Sequence, residues 1–254
     1  MSEDMAPRYQ HIGAGYASTR REDPRLCERI LGALGAARSV VNVGAGAGSY
    51  EPRDRYVVAI EPSDVMAAQR PADRVPAIRA SAGALPLRDR AVDAAMAVLT
   101  IHHWDDELQR GLEEMRRVAR GPVVIVTCDP TVSGEMWLMR DYLEEVDELD
   151  RRIFPMPADI GRMLGGTTRV EVVPIPRDTP DWSLMSFWAH PERVLDPAAR
   201  AATSGFARMP ESVVDRVVAA VARDLESGAW DRANGTLRAL ESFDAGMRLC
   251  VNEP

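Results

Sequence analysis

Several residues in this 254-residue chain have types and spacings that could do chemistry. Val40-Val41-Asn42-Val43 is a short apolar run that reads as a buried strand, and it stops at Gly44-Ala45-Gly46-Ala47-Gly48. Glycine on alternate positions allows backbone angles that a side chain forbids and lets the main chain approach a ligand closely. A strand followed by a glycine turn is how α/β proteins hold cofactors at the carboxyl ends of their strands. The spacing here is G-x-G-x-G, whereas the dinucleotide fingerprint is G-x-G-x-x-G. Glu61 closes the next apolar run, Tyr56 to Ile60, where a carboxylate can accept hydrogen bonds from both hydroxyls of a ribose. A polar cluster, Thr100-Ile101-His102-His103-Trp104-Asp105, follows the run from Ala94 to Leu99. A histidine titrates near neutrality and can act as a general base, so His102 and His103 are candidates. Both could equally cap the next helix and wall a ligand. Asp129, after the run from Val123 to Thr127, is a further base candidate, or a turn residue held by Pro130. Tyr142 completes the catalytic candidates.

These residues need elements to hold them. Asp23-Pro24 opens a helix whose apolar stripe is Leu26, Ile30 and Leu34. Ser63 or Asp64 caps a short helix to Gln69, on which Met66 could pack under a base or simply fill core. Leu108, Leu112, Met115 and Ala119 mark an amphipathic helix that Gly121-Pro122 ends. Residues 134 to 153 read as one helix with Leu138, Tyr142, Val146, Leu149 and Ile153 on a face. Its acids, Asp141, Glu144, Glu145, Asp147, Glu148 and Asp150, are a solvated face or a collar for a cationic amine. Val170 to Ile175 reads as a sixth strand. A proline- and aromatic-rich stretch follows, with Trp182, Phe187, Trp188 and His190 as pocket walls or ordinary core. Asp196-Pro197 and Ser212 mark helix starts, and Gly228 stops the helix from Glu211. Met247 to Val251 is the last apolar run.

Composition bounds the function. The net charge of −8 argues against nucleic acid as a bulk electrostatic partner. The first residues lack a basic-then-apolar signal pattern and no apolar run approaches a membrane span, so a soluble cytoplasmic protein is expected. Cys27, Cys128 and Cys250 have no paired spacing for zinc or a disulfide framework, and no metal is expected. Oligomeric state is not legible.

Gly44-Ala45-Gly46-Ala47-Gly48 with Glu61 resembles the first two motifs of class I S-adenosylmethionine-dependent methyltransferases. The likeness continues through Ser81-Ala82-Gly83-Ala84-Leu85-Pro86-Leu87, Val92 to Val98 and His102-His103-Trp104. It covers roughly residues 9 to 130 and is closest to the small-molecule branch that includes the ubiquinone and menaquinone biosynthesis enzymes. That family usually carries an acid two residues before the first glycine. Here Asn42 stands there, able to accept a hydrogen bond but not to offset the cofactor's ammonium charge. Ser81 stands where the family has the Asp that reads the adenine amino group, beside Ala82.

The resemblance implies a Rossmann-like α/β fold with a seven-stranded, mostly parallel sheet whose last strand is antiparallel. Residues 247 to 251 would be that strand, which leaves 177–245 as a mainly helical substrate lid between strands six and seven. The core would then be 1–176 and 246–254, with 1–22 a segment that covers the cofactor. S-adenosylmethionine would be held by Tyr16, Arg20, Asn42, Gly44, Ala45, Gly46, Gly48, Glu61, Pro62, Met66, Ser81, Ala82, Leu99, Thr100 and His103, with Arg20 pairing the methionyl carboxylate. The implied activity is methyl transfer to O, N or C of a small molecule. The same fold can use this cofactor for cyclisation or elimination, or bind it as an effector without turnover. A nicotinamide oxidoreductase would share the strand, glycines and Glu61, but the glycine spacing and His-His-Trp disfavour it. An arsenic methyltransferase would need cysteines gathered at one site.

Overall fold

The computed structural model describes residues 21–254. Tyr16 and Arg20 lie outside the described residues. The chain divides into two compact units, one of residues 24–129, 153–172 and 248–254, the other containing 130–152 and 173–247.

The first unit is built on a seven-stranded sheet: β1 Ser39–Val43, β2 Tyr56–Ile60, β3 Ala77–Ile78, β4 Ala94–Val98, β5 Val123–Cys128, β6 Thr167–Val172 and β7 Met247–Glu253. Their order is β3-β2-β1-β4-β5-β7-β6. β1 runs parallel to β2 and β4, β2 to β3, and β4 to β5, while β7 pairs antiparallel with β6. β1, β4 and β5 are near-continuous apolar runs because both faces of a parallel sheet are covered. The chain moves outward from β1 to β3 and then returns to β4 on the other side of β1. This reversal opens a crevice at the carboxyl ends of β1 and β4, where doubly wound sheets take ligands.

The covering helices follow their apolar stripes. Helix α1, Pro24–Leu34, starts at the expected proline and buries Leu26, Ile30 and Leu34. Helix α2, Asp64–Ala68, is capped by the Ser63 hydroxyl, which accepts from the Met66 amide at 3.3 Å. Helix α3, Leu108–Val118, buries Gly111, Leu112, Met115 and Val118. A Cβ on Gly111 would come within 2.7 Å of the Trp104 ring, so this glycine is where the indole lies flat on the helix. Helix α4, Pro157–Leu164, packs on α3. The sixth strand is Thr167–Val172, three residues earlier than the apolar run suggests. Its alternation of Thr168, Val170 and Val172 is matched to β7 rather than to burial, since most of its residues are half-exposed or exposed. Ile175 instead joins a two-stranded ribbon with Phe243 in the second unit.

That unit holds the main departure from sequence reading. Residues 134 to 153 are not one helix: Trp137–Asp141 and Glu144–Ile153 are separate, and Tyr142 leaves the helical region at φ −134°. The Leu138 carbonyl accepts from both Tyr142 and Leu143 amides, closing the first helix, and the Tyr142 hydroxyl donates to Asp224 at 2.8 Å. Helical periodicity continued across the break because the same apolar positions turn inward on both sides of it. Helix α5, Glu211–Glu226, ends as expected, with Gly228 in the left-handed region at φ +69°. Asp196 caps the short helix Pro197–Ala201 by accepting from the Ala198 amide. The core is aromatic: Trp137 donates to the Trp188 carbonyl at 3.0 Å and meets Trp230 edge-on, and Trp188 stacks on Phe243. Phe187 and Trp188 are fully buried there as core. Three of the acids of 141–150 are matched by arginines, in the pairs Arg140–Asp141, Arg151–Asp147 and Arg216–Glu145.

Asp150 is set apart by its burial. Burial pushes its carboxyl up to about 7, with Asp147 adding to the rise and Arg208 opposing it. The folded chain therefore holds a proton there that the unfolded chain releases near pH 4. Stability from this group is present at low pH and lost as pH rises through about 7. Asp150→Asn should raise the unfolding free energy at pH 8 by up to about 4 kcal/mol and leave it little changed at pH 4, as read by denaturant titration. Equal effects at both pH values would contradict the assignment.

Candidate active site at the carboxyl ends of β1, β2 and β4

The glycine turn after β1 is held from several sides. The Gly44 and Ala45 amides both donate to the Ile60 carbonyl at 2.9 Å, and the Gly48 amide donates to the Ala45 carbonyl at 2.8 Å. Gly44, Gly46 and Gly48 all take positive φ, at 71°, 50° and 92°. At Gly44 the constraint is also steric, because a Cβ would overlap the Thr100 side chain. The end of β4 thus lies directly against the first glycine, as the reversal of strand order requires. The preceding residue, Leu99, carries a side chain at φ +50°, a conformation that costs about 1–3 kcal/mol and is retained where the surroundings fix it.

Glu61 ties the second strand to the same turn. Its Oε2 accepts from the Gly46 amide and its Oε1 from the Ser63 amide, each at 2.8 Å, with the residue 7% exposed. A carboxylate has about four acceptor positions, so each oxygen keeps one for a ligand hydroxyl. Pro62 is half-buried between these amide contacts, and Met66 reaches the turn with its Cε 3.5 Å from where a Gly46 Cβ would be.

Asn42 is 2% exposed. Its Nδ2 donates to Glu51 Oε1 at 3.0 Å, and its Oδ1 is buried with no hydrogen-bond partner. The amide orientation follows from its neighbour: a carboxylate can only accept, so the nitrogen must face Glu51. On the other flank, Ser81 is half-buried with its hydroxyl 3.4 Å from Glu107 Oε1, and Ala82 is buried.

The base candidates are distributed unevenly. His102 and His103 form a 3₁₀ turn right after Thr100, with ring centroids 3.9 Å apart. His102 is buried and stacks on Phe154 at 4.1 Å, while His103 is half-buried. Trp104, pressed on Gly111, anchors this turn to α3. Asp129, just beyond β5, lies 3.9 Å from the buried Arg248 Nε on β7. Tyr142 belongs to the other unit, where burial and the adjacent Asp224 carboxylate push its phenol well above the ordinary value. Cys128 and Cys250 lie on the neighbouring strands β5 and β7, and burial holds the Cys250 thiol up at about 12, far from a reactive thiolate. Among the described residues no three His, Cys, Asp or Glu side chains gather as a metal site. No helix among them is long and apolar enough to cross a membrane.

Sequence reasoning missed Glu51 and Arg70. Their side chains are only 2% and 4% exposed, and they pair directly beneath the glycine turn. The one signal was an acid three residues beyond the last glycine, close in sequence to the position where Asn42 replaces the expected one.

The family described as the methyltransferase domain matches residues 41–126, the span from β1 through β5. No curated protein sequence is significantly similar to the chain. Among solved structures, a protein of Anabaena variabilis assigned as a methyltransferase from an antibiotic biosynthesis pathway is 28% identical. It superposes with a TM-score of 0.85 over 92% of this chain and 99% of its own. The cyclase SpnF, at 16% identity and a TM-score of 0.52, covers 98% of this chain and 92% of its own and shares the fold. A phosphoethanolamine N-methyltransferase of Haemonchus contortus, at 15% identity and a TM-score of 0.52, covers 97% of this chain and 55% of its own. The turn, Glu61 and the buried Asn42 oxygen fit the cofactor of this family: a glycine cradle, a ribose acceptor and an unfilled acceptor close by. Gly44→Ala should therefore weaken S-adenosylhomocysteine binding more than tenfold in calorimetric titration, and unchanged affinity would remove the turn from the site. The matched domain, the strand order and this cradle together support a class I S-adenosylmethionine-dependent methyltransferase fold for this chain.

Proposed function

We propose that this protein moves a methyl group from S-adenosylmethionine to an oxygen, nitrogen or carbon of a small-molecule acceptor. The observation that carries this reading is the end-to-end similarity to the Anabaena variabilis protein. It covers 92% of this chain and so extends well beyond the matched domain. That protein is assigned to antibiotic biosynthesis, a setting of small-molecule acceptors. We assign acceptor choice to residues 177–245 and the cofactor to the cradle of β1, β2 and β4.

When bound, the cofactor supplies a methyl group on an electrophilic sulfonium. The chain's own contribution is to orient and to manage a proton. Gly44, Gly46, Glu61 and Ser81 fix the nucleoside end, and Asn42 Oδ1 offers an acceptor toward the amino-acid end. Proximity and alignment alone can supply on the order of 7–11 kcal/mol of barrier reduction. An acceptor hydroxyl or ammonium must also shed a proton. His103, half-buried on the turn after β4, is the first choice for this base. His102 holds the turn through its stack on Phe154. Asp129 is 3.9 Å from the Arg248 Nε, which ties it to β7. Tyr142 keeps its proton against Asp224 and serves better as a donor.

The fold is shared with the cyclase SpnF, so product analysis is the decisive test. The protein is titrated with S-adenosylhomocysteine, with NADH as a control, and then incubated with S-adenosylmethionine and a panel of phenols and amines. The expected result is binding of S-adenosylhomocysteine alone, together with a product heavier by one methyl group. Turnover of the acceptor without that gain would replace transfer by cyclisation or elimination. His103→Ala should lower kcat by about 10²–10⁴-fold with an acceptor that needs deprotonation, leaving S-adenosylhomocysteine affinity within about twofold. An unchanged kcat would move the base elsewhere.

A further inference from the structure

Arg70 lies just past α2, in a stretch, Gln69-Arg70-Pro71-Ala72-Asp73-Arg74, that reads as solvent-facing loop. Its side chain is nevertheless 4% exposed and saturated with acceptors. Nε donates to the Val75 carbonyl at 2.9 Å, and Nη2 reaches both Glu51 oxygens at 2.9 and 2.8 Å. Nη1 donates to the Gly46 carbonyl at 3.0 Å and lies 3.4 Å from the Ala45 carbonyl. Glu51 also accepts from Asn42, and its own carbonyl accepts from Arg74 at 2.8 Å. A Cβ on Gly48 would sit 3.2 Å from Glu51 Oε2 and 3.3 Å from Arg70 Nη1, so the pair is packed directly against the turn.

We infer that the buried Glu51–Arg70 pair positions the glycine turn for its cofactor, with Glu51 orienting the Asn42 amide and Arg70 clamping the turn by its carbonyls. The amide side of the turn is engaged by Glu61 and Ile60, and the carbonyl side is engaged by Arg70. With both sides tied, the turn has no freedom to rotate its peptide planes. Asn42 is held by Glu51 through its nitrogen, which leaves Oδ1 as the acceptor available to a ligand. The guanidinium fork is required, because an ammonium cannot serve a carboxylate and a backbone carbonyl at fixed separate directions. The pair is electrically neutral, so the turn is held without placing net charge beneath the cofactor. Arg70 and Glu51 touch no reacting atom and are positioning residues.

Removing one partner would leave an uncompensated buried charge, so the test removes both. Glu51→Gln with Arg70→Met keeps an acceptor for Asn42 Nδ2 and deletes the carbonyl clamp, and Arg70→Lys keeps the charge without the fork. Amide hydrogen exchange at residues 44–48 is measured on the full chain without cofactor, and S-adenosylhomocysteine affinity by calorimetry. The double variant should exchange these amides at least tenfold faster and bind at least tenfold more weakly, with Arg70→Lys between it and wild type. A role confined to global stability would lower the melting temperature without that local pattern. Unchanged exchange, or faster exchange with unchanged affinity, overturns the inference. If the double variant does not fold, Arg70→Lys is judged by the same two readouts. The affinity half rests on S-adenosylmethionine being the ligand of the turn. Wild type that fails to bind S-adenosylhomocysteine overturns that reading, while the exchange comparison still decides the clamp.

Discussion

The bond from the Gly46 amide to the Glu61 carboxylate is the constraint on which the rest of the site depends. It joins the ends of two parallel strands, β1 and β2, through groups that would each be costly to bury alone. A buried carboxylate without donors would take up a proton or draw in water. Two main-chain amides instead satisfy and direct it. The turn is in consequence fixed in the one conformation that brings Gly44 against Thr100. Position at the end of β4 then follows, and with it the turn that carries His102 and His103. The strand order supplies the crevice, but this carboxylate–amide contact gives it a defined wall.

Beneath that wall the protein satisfies its buried polar groups in an indirect way. The family resemblance leads to expect a carboxylate at position 42, and the chain supplies an amide. The amide alone would leave its nitrogen buried without an acceptor. Glu51 accepts from it, and Arg70 compensates Glu51. Three residues from three separate stretches therefore satisfy one another at this position. Buried ion pairs often contribute little net stability against apolar replacements. Their retention here is better explained by geometry: an apolar trio of the same volume could not hold the Ala45 and Gly46 carbonyls.

What was legible in the sequence was local. The stripe Leu26, Ile30, Leu34, the Ser63 cap, the Gly228 stop and the glycine spacing each depend on neighbours within a turn or two, and each is found as expected. The sheet order became legible only through resemblance, because pairing of β7 beside β5 is a contact across more than a hundred residues. The break at Tyr142 was hidden since its cause, a hydrogen bond to Asp224, lies 82 residues away. Arg70 was hidden for a related reason: an arginine in a polar loop carries no mark of burial, and its acceptors are backbone carbonyls that any sequence would provide.

The same distinction separates the two halves of the chemistry. The candidate cradle is built from main chain and from residues at strand ends, so a short motif records it. The other unit is organised by large aromatics whose partners are distant, and its interior is tuned for packing rather than for polar satisfaction. Trp188 and Trp230 bury their indole N–H groups without an acceptor, at a cost of about 1–3 kcal/mol each. Arg238 lies 4.7 Å over Trp230 while bound to Glu192 and Asp231, adding a cation to the outer face of that core. Tolerating two unsatisfied donors makes sense only if the apolar burial of three tryptophans outweighs them. The aromatic density of this segment is thus accounted for by its own core.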